Sequence, residues 1–279
     1  MPFILNRCRT GKNLFLCLYF PICLSAPRSD SIAPVSRNTW DSLVSIVKIR
    51  DSCLKERIAE IEDSLAPPIF SNLPTNQAED LVKLASFFKN QEGRLYLAVI
   101  NLDILKNSDI TYSVSLITNL NSGEGGADYD PGLHGIVFRV HDAANFVHET
   151  THGGQFENRS IAYKKNTGGA FGDDVQDEVE AYRAQFAYDP ISFQLYHSCW
   201  KPGKLTDITV YWLRHLRTSR TDRSRIYSRH GSAKIAQQPI SMASSREEIL
   251  KAYKCYKDRE QRWPLGYSPM NDTNLFYKH

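Results

Sequence analysis

Residues 148–152 combine side chains that bind metal ions with one that accepts protons. On a helix, side chains four positions apart lie one turn above each other, so His148 and His152 can bind one metal ion. Glu149 is rotated from His148 by about one third of a turn, which places it near a water on that metal without making it a ligand. The spacing therefore predicts metal-assisted hydrolysis, with Glu149 as the base that activates the water.

The residues before His148 predict the helix that this spacing requires. Residues 136–140 alternate imperfectly between apolar and polar and indicate a short strand. Asp142 stands where an N-cap belongs, and residues 143–147 are a plausible helix opening. The alternative is a capped surface helix that carries two histidines by coincidence.

A third ligand is expected from a second helix. Asp174 is a suitable N-cap with Asp177 as its capping-box partner, and residues 175–186 contain neither Gly nor Pro. Glu178 and Glu180 lie about 200 degrees apart on such a helix, so only one of them can face a given metal. We favour Glu178, because small and hydrogen-bonding side chains share its face, and because two His with one Glu is a known zinc set. The alternative is that both glutamates are solvated helix charges.

This pattern resembles the zincin metallopeptidases of the glutamate-ligand, gluzincin-like group, including the short zincin domains of bacterial secreted and toxin-like proteins. The resemblance covers roughly residues 111–190. It implies that Zn²⁺ is bound by His148, His152 and Glu178, that Glu149 activates water, and that the substrate is a peptide or protein.

Three positions depart from related patterns. Gln155 stands where metzincins have a glycine, Asn158 stands where they have a third histidine, and Tyr182 occupies the position of the aspartate found in many gluzincins. The resemblance therefore does not define the subfamily, or which peptide or protein is the substrate. Tyr182 and His134 are the candidates for a supporting group or an oxyanion stabiliser.

Gly153 and Gly154 follow the second histidine directly. Each would weaken a helix by about 1 kcal/mol relative to Ala. They are expected either to end the helix at His152 or to let another backbone approach the metal closely.

The N-terminus predicts export. Basic residues precede an apolar run over 14–24, and Leu24, Ser25 and Ala26 form a possible cleavage site. We expect a signal peptide over 1–26, a secreted, periplasmic or cell-envelope protein, and no stable membrane span once the signal is removed; a non-cleaved apolar segment is the alternative. A polar linker over 27–38, a single domain over 39–262 and a tail over 263–279 are expected to follow.

The chain has 279 residues, of which 42% are hydrophobic, so one sizeable domain with a full core is expected. Its net charge of +3 does not suggest nucleic acid, and the arginines scattered over 214–229 are more typical of solvated surface. None of the six cysteines has Cys-x-x-Cys spacing, which argues against a structural cysteine–zinc site.

Apolar periodicity predicts one or two helices before residues 67–68, a helix over 78–89, and a helix or strand over 95–105. Residues 111–118 alternate like a strand, and 119–134 indicate a long loop. Helices are also expected over 207–216 and from a capping box at Ser245 to about residue 258. The predicted fold is α+β, a zincin-like domain that is mainly helical with a small sheet beside the active-site helix.

Two further functions remain open. One is a metal-binding surface or interaction protein that keeps a zincin fold without turnover. The other is a secreted toxin-type effector protease that cleaves one specific protein. A nucleic-acid-binding role ranks last.

Overall fold

The computed structural model describes residues 31–67, 73–118, 125–191, 193, 201–216, 236–253, 263 and 265–278, and their fold is mixed α+β. In chain order, these residues form α1 (Arg37–Leu65), α2 (Thr75–Lys106), β1 (Thr111–Leu116), β2 (Gly126–Asp130), β3 (Gly135–Val140), α3 (Ala143–Glu157), β4 (Ala162–Lys164), β5 (Ala170–Phe171), α4 (Val175–Tyr188), α5 (Val210–His215), α6 (Arg246–Ala252) and β6 (Leu275–Phe276).

Two long helices, α1 and α2, form an antiparallel pair. Lys48 forms an ion pair with Asp103 near one end of the pair, and Glu62 forms one with Lys89 near the other. The prediction of one or two helices before residues 67–68 is confirmed, with α1 as one continuous element that ends at Leu65. The predicted helix over 78–89 and the predicted helix or strand over 95–105 are parts of α2. Their apolar residues lie on one buried stripe, and burying that stripe outweighs the cost of a single glycine between them.

Three strands form the sheet beside these helices, in the order β1-β3-β2. β1 runs parallel to β3, whereas β2 runs antiparallel to β3. The prediction of a loop over 119–134 is wrong for 126–130, which form β2; residues 119–124 lie outside the described residues. The composition of β2 is typical of loops, and its pairing comes from contact with β3, including an ion pair between Asp128 and Arg139.

Helix α3 packs against β3, α2 and α4. It continues five residues past His152, so the expectation that two glycines end the helix there is wrong. A Cβ at Gly153 would lie 2.8 Å from the Phe138 ring, and one at Gly154 would lie 2.6 Å from the Asn101 amide. The glycines therefore allow α3 to approach β3 and α2 closely, and the atoms nearest to them belong to side chains rather than to an approaching backbone.

The ends of the described chain are packed rather than free. Ile32 is 2% exposed and pairs with Tyr112 of β1, so the part of the predicted 27–38 linker that the structure describes begins in the core and continues through a 3₁₀ turn over Pro34–Ser36 into α1. Residues 275–276 of the predicted tail form β6, which pairs with β4 in a second sheet of order β5-β4-β6. The burial of apolar side chains decides both placements. The largely polar composition of 27–38 gives no sign of that burial.

The later predictions are confirmed in part. The helix expected over 207–216 is α5, preceded by a 3₁₀ turn over Leu205–Asp207, and the capping box of Ser245 and Glu248 begins α6. The signal peptide over 1–26, the arginines over 217–229 and residues 254–258 of the last helix lie outside the described residues. Among the helices that are described, none has the length and hydropathy needed to cross a membrane.

Candidate metal centre

Helix α3 presents its two histidines side by side. The Asp142 side chain accepts a hydrogen bond from the Asn145 backbone N–H at 2.8 Å, which confirms the predicted N-cap. One helical turn separates His148 from His152, and their ring centroids lie 5.1 Å apart. Both histidines are 7% exposed, since α3 is covered by its neighbours.

Helix α4 brings Glu178 to the same point. The Asp174 side chain accepts from the backbone N–H groups of Gln176 and Asp177, and the Asp177 side chain accepts from Asp174, so the predicted capping box is confirmed. This cap fixes the first turn of α4, where Glu178 lies.

One Glu178 oxygen is 3.7 Å from His148 Nε2, and the other is 3.8 Å from His152 Nε2.

The donor set fits a zinc ion. His148, His152 and Glu178 each offer a ligand atom, and these atoms all lie within 4.8 Å of one another. Ligands at about 2.0–2.2 Å from a tetrahedral zinc are about 3.4 Å apart, and the two Glu178 oxygens lie 3.7 Å and 3.8 Å from the imidazole nitrogens of His148 and His152. Two neutral imidazoles and a carboxylate form a known zinc ligand set that leaves a fourth position open.

Glu149 is buried beside this group. The Asn145 amide donates to Glu149 Oε1 at 3.1 Å, and Asn145 Oδ1 accepts from the His141 backbone N–H at 3.2 Å. Burial is the main reason that the pKa of Glu149 rises to about 8; the nearby charge of Glu178 raises it further, and the hydrogen bond from Asn145 lowers it. Asn145 therefore orients the carboxyl that the sequence predicts as the base.

Glu180 is held elsewhere. Its carboxylate forms ion pairs with Arg94 of α2 and with Arg183, and it accepts a hydrogen bond from Gln176. Glu180 and Arg94 line a cleft of about 270 Å³ between α2, α3 and α4. Of the two glutamates that the sequence offered, only Glu178 belongs to the group that could hold a metal among the described residues.

The two candidates for a supporting group differ in position. The Tyr182 ring packs edge-on against His148, with centroids 4.5 Å apart, and also contacts Trp212 of α5. His134 lies in the turn between β2 and β3 at a φ of 48°, and its Nδ1 is 3.3 Å from the Tyr129 hydroxyl. Tyr182 therefore lies against a candidate ligand, whereas His134 contacts Tyr129 of β2.

Four further residues near the centre were not predicted from the sequence as functional groups. Asn145 contacts Glu149, and Gln155 contacts His152; both contacts follow helical spacing and could have been inferred from it.

Asp173 and Tyr163 come from other elements, so no local pattern indicates them. Burial and then the charge of Glu178 raise the pKa of Asp173 well above its usual range. Tyr163 is fully buried, and its pKa is raised by burial and then by the charge of Glu149.

In comparisons with known proteins, no family model, no curated protein and no solved structure matches this chain. The functional assignment therefore rests on how α3 and α4 bring His148, His152 and Glu178 together.

Proposed function

We propose that this protein is a zinc-dependent hydrolase with a zincin-like fold and that it acts on peptide bonds. The observation that carries the proposal is the convergence of His148, His152 and Glu178 within 4.8 Å, with the Glu149 carboxyl buried beside them. The peptide substrate and the secreted or cell-envelope location follow from the resemblance and from the signal-like N-terminus.

Each side chain has a definite task in this proposal. When bound, zinc supplies a Lewis acid that polarises a carbonyl and acidifies water. Glu149 takes a proton from the attacking water and passes it to the leaving amine. Asn145 donates a hydrogen bond to one Glu149 oxygen, which leaves the other oxygen to accept that proton. Tyr182 packs against His148 and restricts its ring.

The central experiment compares the full chain with Glu149→Gln and His148→Ala. We expect purified unmodified protein to contain one zinc and to cleave members of a broad peptide library. Glu149→Gln should keep the metal and lose cleavage by at least about 100-fold, which is the scale of general-base catalysis. His148→Ala should lose both.

The outcomes separate this proposal from its alternatives. Equal cleavage by Glu149→Gln and the unmodified protein would exclude this mechanism. A zinc-loaded protein that cleaves no member of the library would favour a metal-binding protein without turnover. Cleavage of one protein but of no short peptide would favour an effector protease.

A further inference from the structure

Gln155 connects the two helices that carry the candidate ligands. Its Oε1 lies 2.7 Å from His152 Nδ1, and its Nε2 donates to the Asp177 backbone carbonyl at 3.0 Å. Gln155 lies three residues after His152 on α3, and Asp177 directly precedes Glu178 on α4. One amide therefore contacts a histidine ligand and the turn that holds the carboxylate ligand.

The direction of these bonds is fixed by the backbone. A peptide carbonyl oxygen can only accept a hydrogen bond, so the amide nitrogen of Gln155 must face Asp177. This leaves Oε1, which is also only an acceptor, facing His152 Nδ1. An acceptor at 2.7 Å requires a hydrogen on Nδ1, and the lone pair of neutral His152 is then on Nε2.

His152 Nε2 is the atom that faces Glu178, at 3.8 Å from Oε1. We propose that Gln155 is a positioning residue that fixes the tautomer and ring orientation of His152 so that Nε2 is the metal-binding nitrogen, with the Asp177 carbonyl fixing Gln155 in turn. This inference rests on the metal site of the proposed function. It adds a residue whose side-chain acceptor oxygen is the feature required at that position.

The two halves of the amide can be tested separately. Gln155→Leu removes both hydrogen bonds. Gln155→Glu keeps an acceptor for His152 but cannot donate to Asp177. Gln91→Leu is the matched control, since Gln91 is a buried glutamine on α2, 1% exposed, and is not one of the residues of the candidate metal centre.

Zinc affinity, measured by competition with a chromophoric chelator, gives the first result. We expect Gln155→Leu to bind zinc about 10–100-fold more weakly than the unmodified protein, the usual cost of losing such a supporting hydrogen bond. Gln155→Glu and Gln91→Leu should stay within about threefold. If Gln155 only joined α3 to α4, Gln155→Glu would weaken binding at least as much as Gln155→Leu, and this order would overturn the inference.

Nuclear magnetic resonance of the metal-free, ¹⁵N-histidine-labelled unmodified protein gives a second result that requires neither zinc nor activity. We expect His152 Nδ1 to carry a hydrogen that exchanges slowly with water, and to lose that protection in Gln155→Leu. An Nδ1 without hydrogen in the unmodified protein would overturn the inference. If the protein instead shows the expected tautomer but binds no zinc, the proposed function fails and the assignment of the Gln155 bond stands.

Discussion

Glu180 forms an ion pair with Arg94, which ties α4 to α2 and separates the role of Glu180 from that of Glu178 two positions earlier. The Arg94 guanidinium also donates to the Glu180 carbonyl at 2.7 Å, so the pair holds backbone as well as side chain. Burial lowers the pKa of Arg94, and the charge of Glu180 opposes that shift. The two glutamates of α4 therefore have different roles. Glu178 belongs to the candidate metal centre, and Glu180 stabilises the packing of α4 against α2.

The first prediction follows from that division. Glu178→Ala should weaken zinc binding by at least about 100-fold, because it removes one of three candidate ligands. Glu180→Ala should leave zinc affinity within about threefold and lower the free energy of unfolding by roughly 1–3 kcal/mol, because Arg94 loses its carboxylate partner and keeps only the Glu180 backbone carbonyl. Chelator competition and denaturant unfolding measure the two effects. Weaker zinc binding in Glu180→Ala than in Glu178→Ala would contradict the ligand assignment.

The second prediction concerns Asn145, which donates to Glu149. Asn145→Leu should lower kcat for peptide cleavage by about 10–100-fold, because a hydrogen bond to a charged group contributes about 1.5–3 kcal/mol. Zinc affinity should remain within about threefold, since Asn145 is not a ligand. Stopped assays at saturating substrate measure kcat. A variant that loses zinc in proportion to activity would instead assign Asn145 a structural role in α3.

The third prediction concerns the Tyr163 hydroxyl, which is fully buried and has no hydrogen-bond partner among the described residues. Tyr163→Phe should raise the free energy of unfolding by about 1 kcal/mol, because it removes an unsatisfied polar group without changing the ring.

Tyr112→Phe is the control for that variant, because it removes a hydroxyl that donates a hydrogen bond to Glu157. We expect the control to lose about 1–3 kcal/mol, so thermal unfolding should move the two variants in opposite directions. A loss of stability in Tyr163→Phe would show that its hydroxyl is hydrogen-bonded in the folded protein.

The fourth prediction concerns Lys278, near the end of the chain. Its ammonium lies 2.9 Å from Glu157 at the end of α3 and also pairs with Asp109. The Glu157 side chain is 7% exposed, so Lys278→Met should destabilise the protein by about 1–2 kcal/mol.

Lys48→Met provides the comparison, since Lys48 and Asp103 form an exposed pair with side-chain exposures of 48% and 57%. Exposed pairs contribute little, so a change below about 0.5 kcal/mol is expected there. Equal effects in the two variants would show that Lys278 does not hold the end of α3 more firmly than a surface ion pair does.

Much of the local structure was predictable from the sequence. Asp142 and Asp174 are N-caps because their side chains can accept from the first turn of a helix, and that chemistry depends on residues only two or three positions away. The spacing of His148 and His152 likewise follows from helix geometry. The apolar stripes of α1 and α2 were predicted for the same reason, although their continuity across residue 93 was not.

The tertiary structure decided which groups meet. β2 pairs with β3 although its residues are typical of a loop, and Gly153 and Gly154 serve close packing against Phe138 and Asn101 rather than a helix end. Periodicity on α4 showed that Glu178 and Glu180 face different ways; the packing of α4 against α3 and α2 determines which of them meets the histidines and which meets Arg94. Helical spacing acts through neighbours along the chain, whereas the convergence of ligands depends on the burial of distant apolar faces against one another.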